Sequence, residues 1–245
     1  MSALVDLSPA PAVIAARVSE AEYARLLLVP RARLAAGLLR ERADAARAWY
    51  AGHGRPLALA RGAEVVRVGD DAVLIAGGEA LPGAALAGRV RAAEATRVLA
   101  VLASAGPEID AAGAEAWADG RPDDGFFLER FGVAVAEELL RASAVALCRE
   151  AEARGETLLP HLSPGCGDWE LAAQAPLWGL LAAGAGLGAV RLHESGQLTP
   201  KASILAAIGV AARREELASL DPRDACRACD LHPCGFRRAP HRGAA

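Results

Sequence analysis

Three cysteines near the carboxyl end of the sequence have a spacing that suits metal chemistry. Cys226, Cys229 and Cys234 lie within nine residues, and His232 stands between the second and the third. Thiolate and imidazole groups at this spacing are typical of a tetrahedral zinc site or of one corner of an iron-sulfur cluster. The fourth ligand would be His232, Cys166 or an external group. The alternative is a reduced tail that binds no metal.

A second group of chemistry-bearing residues forms a loop rich in proline and glycine. The loop follows His161 and reads, in order, Ser163, Pro164, Gly165, Cys166, Gly167, Asp168 and Trp169. Pro164 restricts the backbone before it and the two glycines permit turns, so backbone amides and carbonyls can reach a small ligand. Asp168 has the simpler alternative role of capping the next helix. Cys166 beside His161 also allows a nucleophilic thiol, which needs an activating environment.

A long helix is predicted from about residue 126 to residue 154. One face carries apolar side chains at intervals of three and four residues, namely Leu128, Phe131, Val135, Leu139, Ala142 and Ala146. Glu137 lies on a second apolar face, one turn from Val133 and one turn from Leu140. We expect its carboxylate to be partly desolvated, which makes it a candidate for holding a cation.

The remaining segments predict an α+β fold with a twisted, mixed or antiparallel sheet and packed helices. An extended lead-in is expected over the first twenty residues, and helices over residues 20–29, 33–50, 171–183 and 213–220, with another opening at Pro107. Strands are expected at residues 64–68 and 72–75, joined as a hairpin, and at 98–103, 189–192 and 204–211. The expected organisation is a lead-in and helix over residues 1–32, one domain over 33–220 and a cysteine-rich tail over 221–245.

The composition excludes several classes of protein. The chain has 245 residues, 53% of them hydrophobic, and its 27 basic and 30 acidic residues are interspersed, so nucleic acid is not an expected partner. No apolar run reaches the ~18 residues of a membrane helix, and the first residues lack a secretory pattern, which predicts a cytoplasmic protein. Five cysteines, three of them in the tail, do not form a disulfide framework.

The loop and the segments around it resemble the activation domain of cobalamin-dependent methionine synthase, above all its stand-alone bacterial form. That family shares a Ser-Pro-Gly-Tyr-Gly-Asp-Trp loop, a Thr-Glu-Ser step and a Pro-Lys-x-Ser turn. The corresponding positions here are the loop at 163–169, Glu194 and Ser195 after His193, and the turn at 200–203. The segments at 105–109 and 132–137 are also similar, so the resemblance covers roughly residues 35–211.

The resemblance implies a protein that binds S-adenosylmethionine and docks over a cobalamin carried by another protein. In that system one-electron reduction of the oxidised cobalt is trapped by methyl transfer from S-adenosylmethionine. The partner would be a cobalamin-dependent methionine synthase or a related corrinoid methyltransferase, together with an electron donor. The chain would act in trans, as part of a methyltransferase system and not as a complete enzyme, and no catalytic residue is assigned to it.

The resemblance also implies a set of ligand contacts. These are Glu137, His161, the loop residues Ser163, Pro164, Gly165, Cys166, Gly167, Asp168 and Trp169, and the step Glu194 and Ser195. In the long enzyme the positions of His161 and Cys166 hold an Arg and a Tyr that contact the ligand. The alternative function is therefore a module that docks on a corrinoid protein, or binds a metal or an iron-sulfur cluster, and no longer uses S-adenosylmethionine.

Overall fold

A computed structural model describes residues 2–167, 169–183 and 186–213 of the chain. The tail cysteines, Asp168 and residues 214–220 of the last predicted helix lie outside these residues. The helices are α1 Pro11–Arg17, α2 Glu20–Leu26, α3 Leu38–His53, α4 Ala84–Ala92, α5 Pro107–Ala118, α6 Pro122–Glu152 and α7 Gln174–Ala182. The strands are β1 Val5–Asp6, β2 Leu57–Val68, β3 Ala72–Ile75, β4 Ala80–Pro82, β5 Arg97–Ser104, β6 Glu156–Leu158, β7 Arg191–Leu192, β8 Leu198–Thr199 and β9 Ser203–Ala212.

The main sheet is antiparallel at every strand pair that the described residues form. Its strand order is β4-β3-β2-β5-β9-β6, and the short β1 pairs with β2. The central strand β5 pairs along its whole length with β2 on one side and with β9 on the other. Strands β7 and β8 form a separate hairpin just before β9. The prediction of an α+β fold with an antiparallel sheet is confirmed.

The sheet separates two hydrophobic cores, because alternate side chains of a strand point to opposite faces. On β5, Val101 and Ala103 face a core that also contains apolar residues of α1, α2, α3, α5 and α6. The neighbouring Val98 and Leu102 face a second core formed by α4, α7 and the segment from residue 159 to residue 169. The long helix and the proline-glycine loop therefore lie on opposite faces of the sheet.

Two buried tyrosines tie the first helical layer together. The hydroxyl of Tyr23 donates to the carbonyl of Phe127 at 2.8 Å, and that of Tyr50 donates to the carbonyl of Ala105 at 2.7 Å. Burial raises the pKa of both phenols, so both hydroxyls remain protonated donors over the physiological pH range. These bonds fix α2 against α6, and α3 against the turn after β5.

Several elements differ from the sequence prediction, among them the short strands β4, β6 and β8, which were not predicted. The lead-in, expected to be extended, contains α1, which begins at Pro11 and buries Ile14 and Ala15. Helix α4 was not predicted, because its nine residues are mostly alanine and glycine and carry little periodic signal. Strand β2 begins at Leu57, seven residues before the predicted start, because its first half is buried on both faces and lacks polar alternation.

Candidate functional site

The proline-glycine loop starts beside strand β9, and backbone hydrogen bonds connect residues within the loop. Leu162 forms a β-bridge with Ala207 of β9, which fixes the start of the loop on the sheet. Within the loop, the amide of Gly165 donates to the carbonyl of Trp169 at 2.7 Å, and the amide of Cys166 donates to the carbonyl of Ser163 at 3.1 Å. Residues 165–167 are exposed, so the tip of the loop presents its backbone to solvent.

Trp169 anchors the far end of this loop in the second core. Its side chain is only 2% exposed, and the indole Nε1 donates to the carbonyl of Pro82 at 2.6 Å. The indole lies so close to Gly83 that a Cβ at that position would stand 2.4 Å from Nε1. The family resemblance implies that Trp169 contacts the ligand, whereas a tryptophan beside a turn is otherwise expected to pack in a core; the structure places its side chain in the second core.

Helix α4 runs alongside the loop and holds it at both ends. Pro82 and Gly83, which receive Trp169, lie immediately before the helix. Near the other end of the helix, Arg89 donates from Nη1 to the carbonyl of Pro160 at 2.9 Å. A guanidinium therefore lies beside the backbone that leads into His161. The sequence reasoning missed this helix, and no periodic signal was available to find it.

The predicted contacts Glu194 and Ser195 lie in the tight turn between β7 and β8. The amide of His193 donates to the carbonyl of Gln197, and the amide of Gly196 donates to the carbonyl of His193, each at 2.9 Å. His193 also places its Nε2 at 2.7 Å from the hydroxyl of Thr199, which gives this ring a structural role. Glu194 and Ser195 are exposed at the tip of the turn.

Leu171 brings the loop and the turn together. A Cβ on Gly165 of the loop would lie 3.2 Å from Cδ1 of Leu171, and a Cβ on Gly196 of the turn would lie 3.0 Å from its Cγ. The leucine is 40% exposed, so its side chain presents an apolar surface between two exposed backbone turns. The two segments that were singled out separately in the sequence thus form one surface, the loop-turn surface, made of residues 161–167, Leu171 and residues 193–197.

Glu137 lies in the other layer of the molecule. Its Oε2 pairs with Nη2 of Arg25 at 2.9 Å, and both side chains are mostly buried, with 14% and 19% exposed. The cation paired with this carboxylate is therefore the guanidinium of Arg25, on α2 of the same chain. The sheet stands between Glu137 and the loop-turn surface, so the structure does not bring this residue together with the other predicted contacts.

The described residues contain neither a cluster of metal ligands nor a helix that could cross a membrane. Within residues 2–167, 169–183 and 186–213, no three His, Cys, Asp or Glu side chains cluster as a metal site. The proposed ligands Cys226, Cys229 and Cys234 are not among these residues. No helix in the same ranges has the length and apolar character needed to cross a membrane.

Comparison with known proteins gives a structural match and no sequence match. No family model and no curated protein matches the sequence. A solved structure, the crystal structure of the MetH reactivation domain bound to AdoHcy, is similar with a TM-score of 0.64, and the match covers 92% of this chain and 84% of that chain. The two sequences are 13% identical, so the similarity concerns the fold. The chain has the fold of the MetH reactivation domain.

Proposed function

We propose that the chain binds S-adenosylmethionine at the loop-turn surface and supports, in trans, the reductive reactivation of a cobalamin-dependent methionine synthase or a related corrinoid methyltransferase. One observation carries the proposal: in a chain with this fold, two segments far apart in sequence meet at Leu171 as exposed backbone turns. The similar solved domain binds AdoHcy, the demethylated form of the same ligand. A cytoplasmic location remains a prediction.

The loop-turn surface offers the groups that a small zwitterionic ligand requires. Gly165 and Gly167 adopt positive φ angles of 85° and 59°, and the tip that contains them is exposed, so a ligand can approach the backbone of the tip closely. Glu194 supplies an exposed carboxylate that can pair with an ammonium group. Arg89 lies at the base of the loop, beside the backbone that leads into His161, and its guanidinium contributes positive charge that would favour a ligand carboxylate there.

The proposed reaction needs a partner and a reductant outside this chain. The partner's cobalamin, once reduced by a one-electron donor, would supply the electron pair for a new cobalt-carbon bond to the methyl group of S-adenosylmethionine as the carbon-sulfur bond breaks. The electron pair of that bond stays on sulfur, which leaves as the neutral thioether. This chain would hold the sulfonium ligand with its methyl group towards the partner. It would also exclude water from the space between the methyl group and the partner.

A second candidate function follows from two placements that do not favour a sulfonium ligand. Trp169 is buried and presents no aromatic face at the surface, and Glu137 pairs with Arg25 on the other side of the sheet. A chain with these features could dock on a corrinoid protein without using S-adenosylmethionine. The cysteine tail would then contribute through zinc or an iron-sulfur cluster, which metal analysis of protein purified without oxygen would detect.

Methyl transfer in trans separates the two functions. The full chain is mixed with a corrinoid methyltransferase that lacks its own activation domain, a low-potential chemical reductant and S-adenosylmethionine, and the cobalamin spectrum is followed. We expect methylated cobalamin to form many times faster with the chain than without it. AdoHcy in place of S-adenosylmethionine is the control, because it has no methyl group to give. Equal rates with and without the chain would contradict the proposed function.

A further inference from the structure

A cavity of about 550 Å³ lies between the carboxyl end of α3 and one face of α5. Its volume is in the usual range of sites that bind small molecules. Both helices contribute to the first hydrophobic core, on the other face of the sheet from the core that contains Trp169. The cavity is therefore separate from the loop-turn surface, and an inference about it does not depend on the proposed function.

The face of α5 that lines this cavity has an acidic residue at each end and small apolar residues between them. Glu108 and Glu115 are two helical turns apart, about 10 Å along the helix axis. Ala111 and Ala112 occupy the intermediate positions of the same face. Because alanine side chains are short, the space between the two carboxylates stays open. Helix α5 thus presents two negative charges with an apolar surface between them.

Glu108 is only weakly neutralised by its own chain. Its Oε1 pairs with Nε of Arg55 at 3.4 Å, and its Oε2 is buried without a hydrogen-bond partner among the described residues. The Arg55 side chain is 84% exposed, and a long ion pair to so exposed a side chain contributes little. At the other end of the face, Glu115 is exposed. A cationic ligand would therefore find two carboxylates that lack a strong partner in the described structure.

The wall opposite α5 is aromatic. The rings of Trp49 and His53 stack with their centroids 4.9 Å apart, and Nδ1 of His53 donates to the carbonyl of Trp49 at 2.8 Å, which fixes the pair. Both residues lie in the last turns of α3, and the carboxyl end of a helix carries partial negative charge. Methylene groups can pack against the rings, while the helix end attracts a cation. This wall suits a ligand that is aliphatic and positively charged.

We propose that this cavity binds a linear aliphatic polyamine. One terminal ammonium group pairs with Glu108 and the other with Glu115, and the methylene chain lies between the two alanines of α5 and the Trp49-His53 pair. Each ammonium group donates charge-assisted hydrogen bonds to its carboxylate. Both carboxylates belong to one helix, so the spacing of the ammonium groups determines the affinity. A diamine too short to span about 10 Å reaches only one carboxylate at a time.

Two diamines of equal charge and different length test this inference by calorimetry on the full chain. Diaminooctane and diaminobutane each carry an ammonium group at both ends. Wild type should bind diaminooctane at least ~10-fold more tightly, because only the longer molecule completes both charge-assisted contacts. Glu115→Gln should lose about 10-fold in affinity for diaminooctane, and with it most of the preference for the longer diamine.

Ala111→Leu and Glu150→Gln complete the experiment. Ala111→Leu places a bulky side chain between the two carboxylates without changing the charge, and leucine is also a good helix former, so the variant should fold and bind diaminooctane about 10-fold more weakly. Glu150→Gln removes the same charge at an exposed position of α6 and should keep both affinity and preference. The proposal fails if wild type binds neither diamine or both equally. It also fails if folded Glu115→Gln and Ala111→Leu keep the wild-type preference.

Discussion

Replacing Trp169 by alanine is expected to lower the free energy of unfolding by about 3–5 kcal/mol, the usual cost of removing a buried indole. The side chain is 2% exposed, and it joins the loop to the segment before α4 through its hydrogen bond to Pro82. Its loss would leave a cavity under α4 and release the loop from its second anchor. We therefore also expect weaker binding of S-adenosyl ligands, beyond the loss of stability.

Trp117→Ala is the matched control, because the same substitution is made at a tryptophan that is 48% exposed. It should lower the free energy of unfolding by roughly 1 kcal/mol or less, because this half-exposed side chain removes less apolar area from water when the protein folds. Chemical denaturation of the wild type and the two variants measures both differences. Equal effects of the two substitutions would show that the Trp169 anchor does not hold the loop.

Gly106→Ala is the second substitution with a large expected effect. Gly106 has a φ of 93° at the start of α5, and a Cβ there would lie 2.5 Å from the carbonyl oxygen of Arg55. The obstructing atom belongs to the backbone before β2, so it cannot move aside as a side chain would. Backbone strain and the clash together should destabilise the protein by about 3 kcal/mol or more. The melting temperature should fall by roughly 6–12 °C.

Gly120→Ala separates the strain from the clash. Gly120 also has a positive φ, 71°, but apart from its chain neighbours no atom of the described residues lies within 4 Å of a Cβ built there. Its substitution should cost only about 1–2 kcal/mol, the price of the left-handed backbone. If thermal unfolding of the two alanine variants shows the same loss, the close approach of Arg55 to Gly106 is not present in solution.

The sequence predicts those elements best whose patterns are strong and local. The hairpin around Gly69 and the strand at 98–103 follow from β-rich runs and turn residues, and both are present as β2-β3 and β5. The long helix is found within a few residues of its predicted limits because one continuous stripe marks its face. Short helices such as α4 depend on tertiary packing, which no local pattern encodes.

The candidate site could be predicted only in part. The composition of the loop at 163–169 indicated turns that a ligand can approach, and the family resemblance indicated Glu194 and Ser195, but their meeting at Leu171 required the fold. The roles of two residues depend on distant partners: Trp169 on Pro82, and Glu137 on Arg25. Such pairings join positions far apart in sequence, so spacing alone does not reveal them.

Hydrogen exchange of the full chain with and without S-adenosylmethionine tests the central claim most directly, because it reports both binding and its location. We predict that millimolar ligand protects backbone amides in residues 161–173 and 191–199 and leaves the exchange of α6 unchanged. A binding isotherm from calorimetry on the same sample gives the affinity. No binding heat at millimolar ligand, or protection confined to segments away from the loop-turn surface, would contradict the account.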